Sequence, residues 1–295
     1  SRRFHEGPAG MGRAQGILTR IRRWARQSPS GSGPVIGLAL GGGFARGIAH
    51  LGILKVLEEY QVPVAMIAGV SAGAVVASAY ASGAEVGTIA AIAKEMKFRD
   101  IGRWTISRLG LAGSDRMVDF IARLLKVYRF EEMRIPLAIA ATDLNTGRPI
   151  VFRDYGDVVL PIRASCSYPG LFQPVRYRGH YLVDGAMTME VPAHSLRRMG
   201  ATHVIAVSLP VNGDGFDPRN MLQVVNRCFQ IMQSRAEREW RRFANVVIEP
   251  DVSGMEWDGF ANAQKLIERG EKAARAALPR ILSWLGRGAP AAEAA

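Results

Sequence analysis

The sequence has few cysteines and no long hydrophobic run. Its 295 residues include two cysteines, Cys166 and Cys228, too few for a disulfide framework and without the paired spacing of a zinc site. The longest stretch without a charged residue, 60–84, holds Pro63 and several glycines, which indicates buried α/β core rather than a membrane-spanning helix. The first apolar patch is interrupted at Thr19, so no secretory signal peptide is identified. These absences predict a cytoplasmic protein, or one held peripherally on the inner face of a membrane.

Positive charge is abundant and unevenly distributed. Lys and Arg number 38 against 26 Asp and Glu, a formal net charge of +12, and residues 1–30 hold seven Arg and one Glu. In that segment Ile17, Ile21 and Trp24 fall at helical spacing among arginines, the composition of an interfacial amphipathic helix. We predict that residues 1–30 bind an anionic membrane surface, with a solvated tail as the alternative. Nucleic acid is not favoured as a partner, because no recognition helix, zinc pattern or aromatic-basic sheet signature is present.

Composition divides the chain into three parts. Residues 1–34 form the basic arm and a Ser/Gly/Pro linker, residues 35–288 a folded domain, and residues 289–295 a tail that we expect to be frayed. In the folded part, short apolar runs alternate with helical patterns, which predicts an α/β fold with a mostly parallel central sheet flanked by helices on both faces. The predicted strands are 35–40, 64–69, 136–141, 150–153, 175–177, 181–183, 203–209 and 245–248. The predicted helices are 48–59, 72–81, 84–96, 115–127, 157–164, 192–199, 220–243 and 261–285, and residues 98–114 are predicted to be irregular.

A G-x-S-x-G sequence, Gly69-Val70-Ser71-Ala72-Gly73, lies between a predicted strand and a predicted helix. A serine on so sharp a turn needs glycine two positions to either side, because a side chain there would collide across the turn. The pattern alone also arises by chance in a glycine-rich chain. The strand-turn-helix context favours Ser71 as a nucleophile, with Gly69 and Gly73 as the glycines of its elbow.

A second glycine-rich turn, Gly41-Gly42-Gly43-Phe44-Ala45-Arg46-Gly47, follows the first predicted strand. It lacks the G-K-[ST] ending of a nucleotide-binding P-loop, and Arg46 occupies the place of the last glycine in a dinucleotide fingerprint. Successive glycines instead allow backbone N–H groups to converge on one point, as an oxyanion hole requires. A tight turn without chemistry is the alternative.

The histidines do not supply an obvious base for Ser71. A triad of the α/β-hydrolase order places its histidine late in the chain, and no histidine follows His203. Asp184 comes directly after a predicted strand, where ligand sites gather in open α/β sheets. A carboxylate can accept the serine proton directly if it is held within hydrogen-bond reach and partly desolvated. We predict Asp184 as the base, with a plain Asp-Gly turn as the alternative.

Five ordered blocks of the chain resemble bacterial patatin-like phospholipases. They are the glycine loop with Arg46-Gly47, Gly69 to Gly73, Ala141 to Gly147, Ala164 to Phe172, and Asp184-Gly185-Ala186, and the similarity extends over residues 35–209. The resemblance implies the three-layer α/β sandwich of that family and a Ser-Asp dyad that uses neither histidine nor metal. It implies that Ser71 attacks the acyl carbonyl, that Asp184 takes its proton, and that the glycine loop holds the oxyanion. The implied oxyanion hole comprises Gly41, Gly42, Gly43 and Arg46, with Arg46 fixing the loop and adding positive potential.

Two positions depart from the pattern of that family. Phe44 stands where the family often has a further glycine, so it either narrows the oxyanion loop or lines the acyl channel. Met189-Glu190 stands where an Asn is usual, which bears on the support of the Asp184 loop. Residues 98–113 mix large apolar side chains with Arg and Gly, which suits a mobile lid. Phe44, Trp104 and Leu109 are therefore candidates for the acyl channel or lid, with packing of Trp104 and Leu109 onto the core as the alternative.

These residues together predict a serine acyl hydrolase that cleaves fatty-acyl esters of phospholipids or related lipids without a metal or cofactor. One alternative is a soluble carboxylesterase or thioesterase that acts on short acyl esters. Another is a catalytically weak, lipid-binding regulatory protein. The sequence leaves the oligomeric state open, a homo-oligomer included.

Overall fold

The computed structural model describes residues 33–288, apart from residue 106 and the segments 211–216, 219 and 256–258. The basic segment 1–30 and the tail 289–295 lie outside the described residues. The expectations for these two segments therefore stay predictions.

The described chain alternates strands with helices, as the sequence predicts. The strands are β1 (Ile36–Leu40), β2 (Val64–Gly69), β3 (Arg103–Trp104), β4 (Ala112–Gly113), β5 (Leu137–Asp143), β6 (Arg148–Arg153), β7 (Val175–Tyr177), β8 (His180–Asp184), β9 (His203–Val207) and β10 (Val246–Ile248). The helices are α1 (Ala49–Glu59), α2 (Ala72–Ala81), α3 (Val86–Glu95), α4 (Phe98–Ile101), α5 (Asp115–Leu124), α6 (Val159–Ser165), α7 (Ala193–Arg198), α8 (Met221–Arg241) and α9 (Ala263–Ser283). The stretch predicted to be irregular contains the short helix α4 and the small β3-β4 hairpin, which is a correction to the sequence prediction.

One mixed sheet forms the centre of the molecule, in the order β10-β9-β1-β2-β5-β8-β7, and β6 also pairs with β5. The strands β10, β9, β1, β2 and β5 are parallel. The strands β6, β7 and β8 are antiparallel to their neighbours. The prediction of a mostly parallel sheet is therefore confirmed, and its antiparallel part lies at the β5 edge.

Helices cover both faces of the sheet. Alternate residues of one strand point to opposite faces, so Leu38 and Leu40 of β1 join the larger core with α1 and α9, and Ala39 between them faces α7. The same alternation separates Ile67 from Ala68 on β2. The strands read as continuous apolar runs because both of their faces are buried.

Two glycines allow α1 and α9 to cross at backbone contact. A Cβ added at Gly52 would lie 1.9 Å from the carbonyl oxygen of Ile267, and one added at Gly270 would lie 2.0 Å from that of Ala49. Neither distance is compatible with a side chain, and the obstacle in each case is backbone rather than a flexible side chain. The crossing therefore requires glycine on both helices.

We expect Gly52→Ala to lower the free energy of unfolding by about 3 kcal/mol, because the two helices must separate to admit a methyl group. The matched control is Gly87→Ala in α3, where an added Cβ meets nothing within 4 Å. That change should be neutral or stabilising by up to about 1 kcal/mol, since alanine is the better helix former. Urea unfolding of the three proteins measures both effects, and equal stability of the two variants would contradict the close crossing.

Candidate active site

The turn between β2 and α2 holds Ser71 in a strained backbone conformation, with φ of 54° and ψ of −126°. A residue other than glycine pays about 1–3 kcal/mol for such a conformation, which persists only where the surroundings enforce it. They do so here: a Cβ added at Gly69 would lie 2.4 Å from Gly73 O, and one at Gly73 would lie 2.3 Å from Leu40 O. The turn is therefore as tight as the G-x-S-x-G spacing predicts.

Ser165 links this turn to the sheet through two hydrogen bonds. The backbone N–H of Ser71 donates to Ser165 Oγ at 2.8 Å, and the Ser165 hydroxyl donates to the carbonyl oxygen of Ala140 at 2.7 Å. Ser165 is fully buried at the end of α6. Sequence reasoning did not single it out, and the available signal was its place in the block of residues 164–172. Its hydroxyl orients the backbone of the predicted nucleophile.

Asp184 reaches the turn because two strands share one edge of β5. Strand β2 pairs with the first half of β5 and ends at Gly69, opposite Ile139. Strand β8 runs antiparallel along the second half of that edge and ends at Asp184, opposite Ala141, while β6 occupies the other edge. The carboxyl ends of β2 and β8 therefore meet along β5, and the side chains of Asp184 and Ser71 lie together.

The carboxyl group of Asp184 is buried and only half satisfied. Its Oδ1 accepts the Ala186 N–H at 2.9 Å, while Oδ2 has no hydrogen-bond partner in the described part of the chain. Burial raises the pKa of Asp184 to about 7, against the opposing influence of the Ala186 N–H and the nearby Ser71 hydroxyl. The site thus contains a carboxylate with a free acceptor oxygen and a pKa near neutrality, next to a hydroxyl group.

The glycine loop packs against both of these residues. A Cβ added at Gly42 would lie 3.4 Å from Ser71 Cβ and 3.5 Å from Ala186 Cβ. The Gly41 N–H donates to Val207 O at 3.0 Å, so it extends the sheet and is not available to a ligand. The Gly42 N–H makes a long 3.4 Å bond to a backbone oxygen, whereas the Gly43 N–H donates to no group among residues 33–288, gaps excluded.

Two buried side chains, His50 and Arg46, donate hydrogen bonds to this loop. His50 Nε2 lies 2.9 Å from Gly41 O, and burial lowers the pKa of His50 to about 4, so the ring is neutral at pH 7 and donates to that oxygen. Arg46 Nε donates to Gly43 O at 3.3 Å. Burial lowers the pKa of Arg46 to about 10, an effect that Tyr168 opposes, so the guanidinium stays charged. Sequence analysis assigned no role to His50.

Ser71 lies where two cavities meet. One is a polar cavity of about 300 Å³ that contains Asp184, Arg46 and Tyr168 in its wall. The other is an apolar cavity of about 90 Å³. Phe44, like Ser71, lines both cavities, and its positive φ of 52° suits the glycine-like position that it occupies. The apolar cavity is lined by side chains from five helices, among them Val75, Ile89, Ala93, Met96, Ile101, Met117, Phe120 and Leu124.

The predicted lid residues lie outside both cavities in this conformation. Trp104 is 62% exposed and Leu109 is 60% exposed. Trp104 packs at a tilt against Phe98 with ring centroids 5.1 Å apart, and Phe98 stacks on Phe44 at 6.5 Å. The wall of the polar cavity is supplied instead by α8, through Asn226, Gln230, Gln233, Ser234 and Glu237. The sequence predicts a helix at 220–243 but not the polar wall that this helix provides.

Metal-ligand side chains are not clustered in the described part of the chain. No group of three or more His, Cys, Asp or Glu residues there has an arrangement that could hold a metal ion. None of the described helices is long and apolar enough to cross a membrane.

A family model described as patatin-like phospholipase matches residues 38–197, more than half of the chain, and the matched segment includes the glycine loop, Ser71, Ser165 and Asp184. The chain belongs to the patatin-like phospholipase family. The recognition of that family from the five sequence blocks is confirmed.

Curated relatives extend the match beyond that segment. An NTE family protein of Mycobacterium tuberculosis is 31% identical over 275 residues, which cover 84% of this chain and 47% of the relative. A lysophospholipase of Mycosarcoma maydis is 32% identical over 228 residues, which cover 75% of this chain and 12% of the relative. The chain thus spans about half or less of the length of these relatives.

A solved structure of human GIVD cytosolic phospholipase A2 has the same fold. It superposes with a TM-score of 0.50 at 13% sequence identity, and the match covers 92% of this chain and 63% of that one. At this identity the likeness supports the architecture alone.

The backbone strain at Ser71 can be measured by two substitutions that both remove the hydroxyl. Ser71→Gly accepts a positive φ and Ser71→Ala does not, so we expect the glycine variant to be more stable by about 1 kcal/mol. The control pair is Ser78→Gly and Ser78→Ala within the regular part of α2, where alanine should be more stable by about the same amount. Thermal and urea unfolding show whether the Gly or the Ala variant is more stable at each position. If the same variant is more stable at both positions, the strained turn is contradicted.

Proposed function

We propose that the chain hydrolyses acyl esters of phospholipids or related lipids through a dyad of Ser71 and Asp184. The observation that carries this proposal is the buried, unpartnered Oδ2 of Asp184 beside the Ser71 hydroxyl, at the junction of a polar and an apolar cavity. Membership of the patatin-like phospholipase family and a relative named as a lysophospholipase support a lipid ester substrate.

The first half of the reaction forms an acyl-enzyme. Ser71 Oγ attacks the acyl carbonyl carbon while its proton passes to Asp184 Oδ2, and the carbonyl oxygen becomes an oxyanion. Collapse of this tetrahedral intermediate breaks the bond to the alcohol oxygen, which takes the proton back from Asp184. The lyso-lipid or glycerol-based alcohol then leaves through the polar cavity.

The second half returns the enzyme to its starting state. Asp184 accepts a proton from a water molecule as that water attacks the acyl carbon of the Ser71 ester. Collapse of the second intermediate breaks the ester bond and returns the proton to Ser71 Oγ. The fatty acid departs, and atoms and charges balance over the cycle with Asp184 as the one proton carrier.

Backbone donors stabilise the two oxyanions in this proposal. The Gly43 N–H has no partner in the described chain, and the Gly42 N–H needs to give up only a long bond of 3.4 Å. The amino-terminal end of α2, directly after Ser71, adds a positive dipole end. Preorganised donors of this kind contribute about 3–4 kcal/mol each to lowering an activation barrier. Of the four residues assigned to the oxyanion hole, Gly41 cannot donate its N–H to the oxyanion, because that group already binds Val207 O. Its role in the proposal is to anchor the glycine loop to the sheet.

The apolar cavity is the proposed site of the acyl chain. Its volume of about 90 Å³ is smaller than an engineered protein cavity of about 150 Å³ that binds benzene. Only the first few methylene groups of a chain fit without movement of the lining. Longer chains require aromatic side chains of the lining, such as Phe44 and Phe120, to shift.

Replacement of either dyad residue tests the proposal. We expect Ser71→Ala and Asp184→Asn each to lower kcat/KM by 10³-fold or more on p-nitrophenyl esters, because the nucleophile or its proton acceptor is lost. A fluorophosphonate probe should label the parent protein and not Ser71→Ala.

The matched control is Ser78→Ala, which removes a buried serine hydroxyl within α2 that has no hydrogen-bond partner among the described residues. It should retain activity and labelling. Fatty acid release from liposomes, followed by mass spectrometry of the lipid products, identifies the substrate class. Unchanged ester hydrolysis in Ser71→Ala would refute the dyad.

The raised pKa of Asp184 predicts a pH dependence of catalysis. The protonated carboxyl cannot accept the Ser71 proton, so kcat/KM should rise with pH through a midpoint near 7 and then level off. A midpoint near the ordinary carboxyl value of 3.8 would show that Asp184 is not desolvated as described.

The same shift has a consequence for stability. Because the pKa of Asp184 is higher in the folded state, the folded protein loses stability as pH rises from about 4 to about 7. Asp184→Asn removes that loss, so its Tm relative to the parent should be higher at pH 8 than at pH 5. Differential scanning calorimetry at the two pH values provides the comparison.

A further inference from the structure

Six exposed residues of α8, four of them apolar, lie on one side of the helix. At 100° per residue these six fall within an arc about 120° wide, and Glu239, which is paired with Arg242, falls in the same arc. Met221 is 74% exposed and Met232 is 63% exposed, which is unusual for methionines in a folded domain. We call this surface the outer stripe; it comprises Met221, Val224, Ile231, Met232, Arg235 and Arg238.

The polarity of α8 is opposite to that of an ordinary surface helix. Such a helix turns its apolar side to the core and its polar side to water. Here the polar side faces inward and lines the polar cavity next to Ser71, while much of the apolar side faces outward. The inward side chains are Asn226, Gln230, Gln233, Ser234 and Glu237.

Mostly polar contacts hold α8 against the body of the protein, among them Gln233 Nε2 donating to Ala186 O at 3.3 Å, the Arg241–Glu249 ion pair and the edge-on contact of Phe229 with Tyr168. Of its described side chains only Trp240, near the carboxyl end, is buried, and Trp240 Nε1 donates to Glu190 Oε2 at 3.2 Å. Nearer the amino end, the Tyr168 hydroxyl donates to Asn226 Oδ1 at 2.9 Å. A helix that buries so little apolar surface gains little stability from packing, so its exposed methionines call for another contact.

The charge on α8 favours an anionic contact. Glu237 is paired with Arg241, and Glu239 is paired with Arg242 at 2.8 Å. Arg235 and Arg238 form no ion pair with any described residue. The outer stripe therefore combines exposed methionine, valine and isoleucine with two uncompensated positive charges.

We propose that the outer stripe of α8 binds the surface of an anionic phospholipid bilayer. Apolar side chains inserted below the headgroups, with arginines at the level of the phosphates, are the combination that holds an amphipathic helix in that interface. The choice of a lipid surface rests on the proposed function, which requires a lipid ester to reach Ser71.

Other occupants of the stripe are disfavoured by charge. A second copy of the chain would bring Arg235 and Arg238 against the same two arginines, or against the same positive helix. The segment 1–30 carries seven Arg and one Glu, so it too would be repelled. An anionic bilayer alone among these partners complements both the apolar and the charged part of the stripe.

The position of α8 gives the contact a role in substrate delivery. Ser234 is exposed and also lines the polar cavity, so the helix borders the cavity mouth. A bilayer on the outer stripe therefore lies beside the opening that leads to Ser71. Binding there shortens the path of a lipid from the bilayer to the nucleophile and leaves the polar side of α8 facing the headgroup.

Cys228 allows a direct test without any engineered cysteine. It is exposed on α8 within the arc of the outer stripe, whereas Cys166 is buried and burial raises the pKa of its thiol well above the ordinary value. An environment-sensitive fluorophore attached to Cys228 in the Ser71→Ala protein reports contact without hydrolysis. Cys228→Ser protein, which should take up no label, is the control for labelling.

Titration of the labelled protein with vesicles gives distinct outcomes. We expect a blue shift with vesicles of phosphatidylcholine and 30% phosphatidylglycerol and little shift with phosphatidylcholine alone. Co-sedimentation with the anionic vesicles without a blue shift would overturn the proposal, because binding would then occur through another surface. A blue shift that depends on protein concentration without vesicles would overturn it in favour of a second copy.

Two sets of variants separate the apolar and charged contributions. Arg235→Gln with Arg238→Gln should weaken binding to anionic vesicles roughly 30-fold, since each arginine near such a surface contributes about a factor of five. The charge-matched control is Arg148→Gln with Arg176→Gln, exposed arginines of β6 and β7. Met221→Glu with Met232→Glu should abolish the blue shift. Equal loss of binding in the control pair would show that net charge, not the stripe, is responsible.

Hydrolysis assays keep this proposal separate from the proposed function. The Met221→Glu, Met232→Glu protein should hydrolyse a dispersed short-chain p-nitrophenyl ester at the parent rate but lose most of its activity on anionic vesicles. Absence of ester hydrolysis in the parent protein would refute the dyad and leave the vesicle-binding result to stand alone. Equal activity of parent and variant on both substrates would refute the membrane contact.

Discussion

The site depends on how closely the chain can approach itself at one turn. Between β2 and α2 the backbone leaves no room for a Cβ at Gly69 or Gly73, and Ser71 is held at a positive φ as a result. Ser165 closes the arrangement by bonding both the Ser71 N–H and Ala140 O. Because this strain is distributed over sheet and helix contacts, the backbone of Ser71 is held in place before any ligand arrives, which is the preorganisation that the proposed attack requires.

A second constraint comes from the sheet itself. Strand β5 pairs with β2 over its first half and with β8 over its second half, so a parallel and an antiparallel neighbour share one edge. That exchange places Asp184 in a desolvated position beside Ser71. Its raised pKa is the energetic consequence, since burial disfavours the charged carboxylate. The same desolvation that lowers the stability of the folded state near neutral pH makes Asp184 a stronger base, so the basicity of this carboxylate and the stability of the fold are opposed.

Much of this was predictable from sequence, for identifiable physical reasons. Strands buried on both faces appear as continuous apolar runs, and glycines mark the places where backbones touch, so the fold class and the Ser71 turn were both evident. Ser165 was not, because its role depends on a contact 94 residues away along the chain. Of the candidates for acyl channel or lid, Phe44 lines both cavities and Trp104 and Leu109 line neither, so a lid at residues 98–113 stays a prediction. Local composition does not show which segment the fold places beside the cavity, and the wall provided by α8 was therefore not predicted.

Helical periodicity alone does not show which side of α8 faces the core. The spacing of Met221, Cys228 and Met232 correctly indicates one side of a helix, but an apolar side is assigned to the core by default. The assignment fails when the cavity beneath the helix is polar, because the helix must then turn its amides inward and its methionines outward. Under the proposed function, the polar cavity receives the headgroup of a lipid substrate. The exposed apolar stripe then follows from the polar cavity beneath the helix, and α8 would face the headgroup with its polar side and the bilayer with its apolar side.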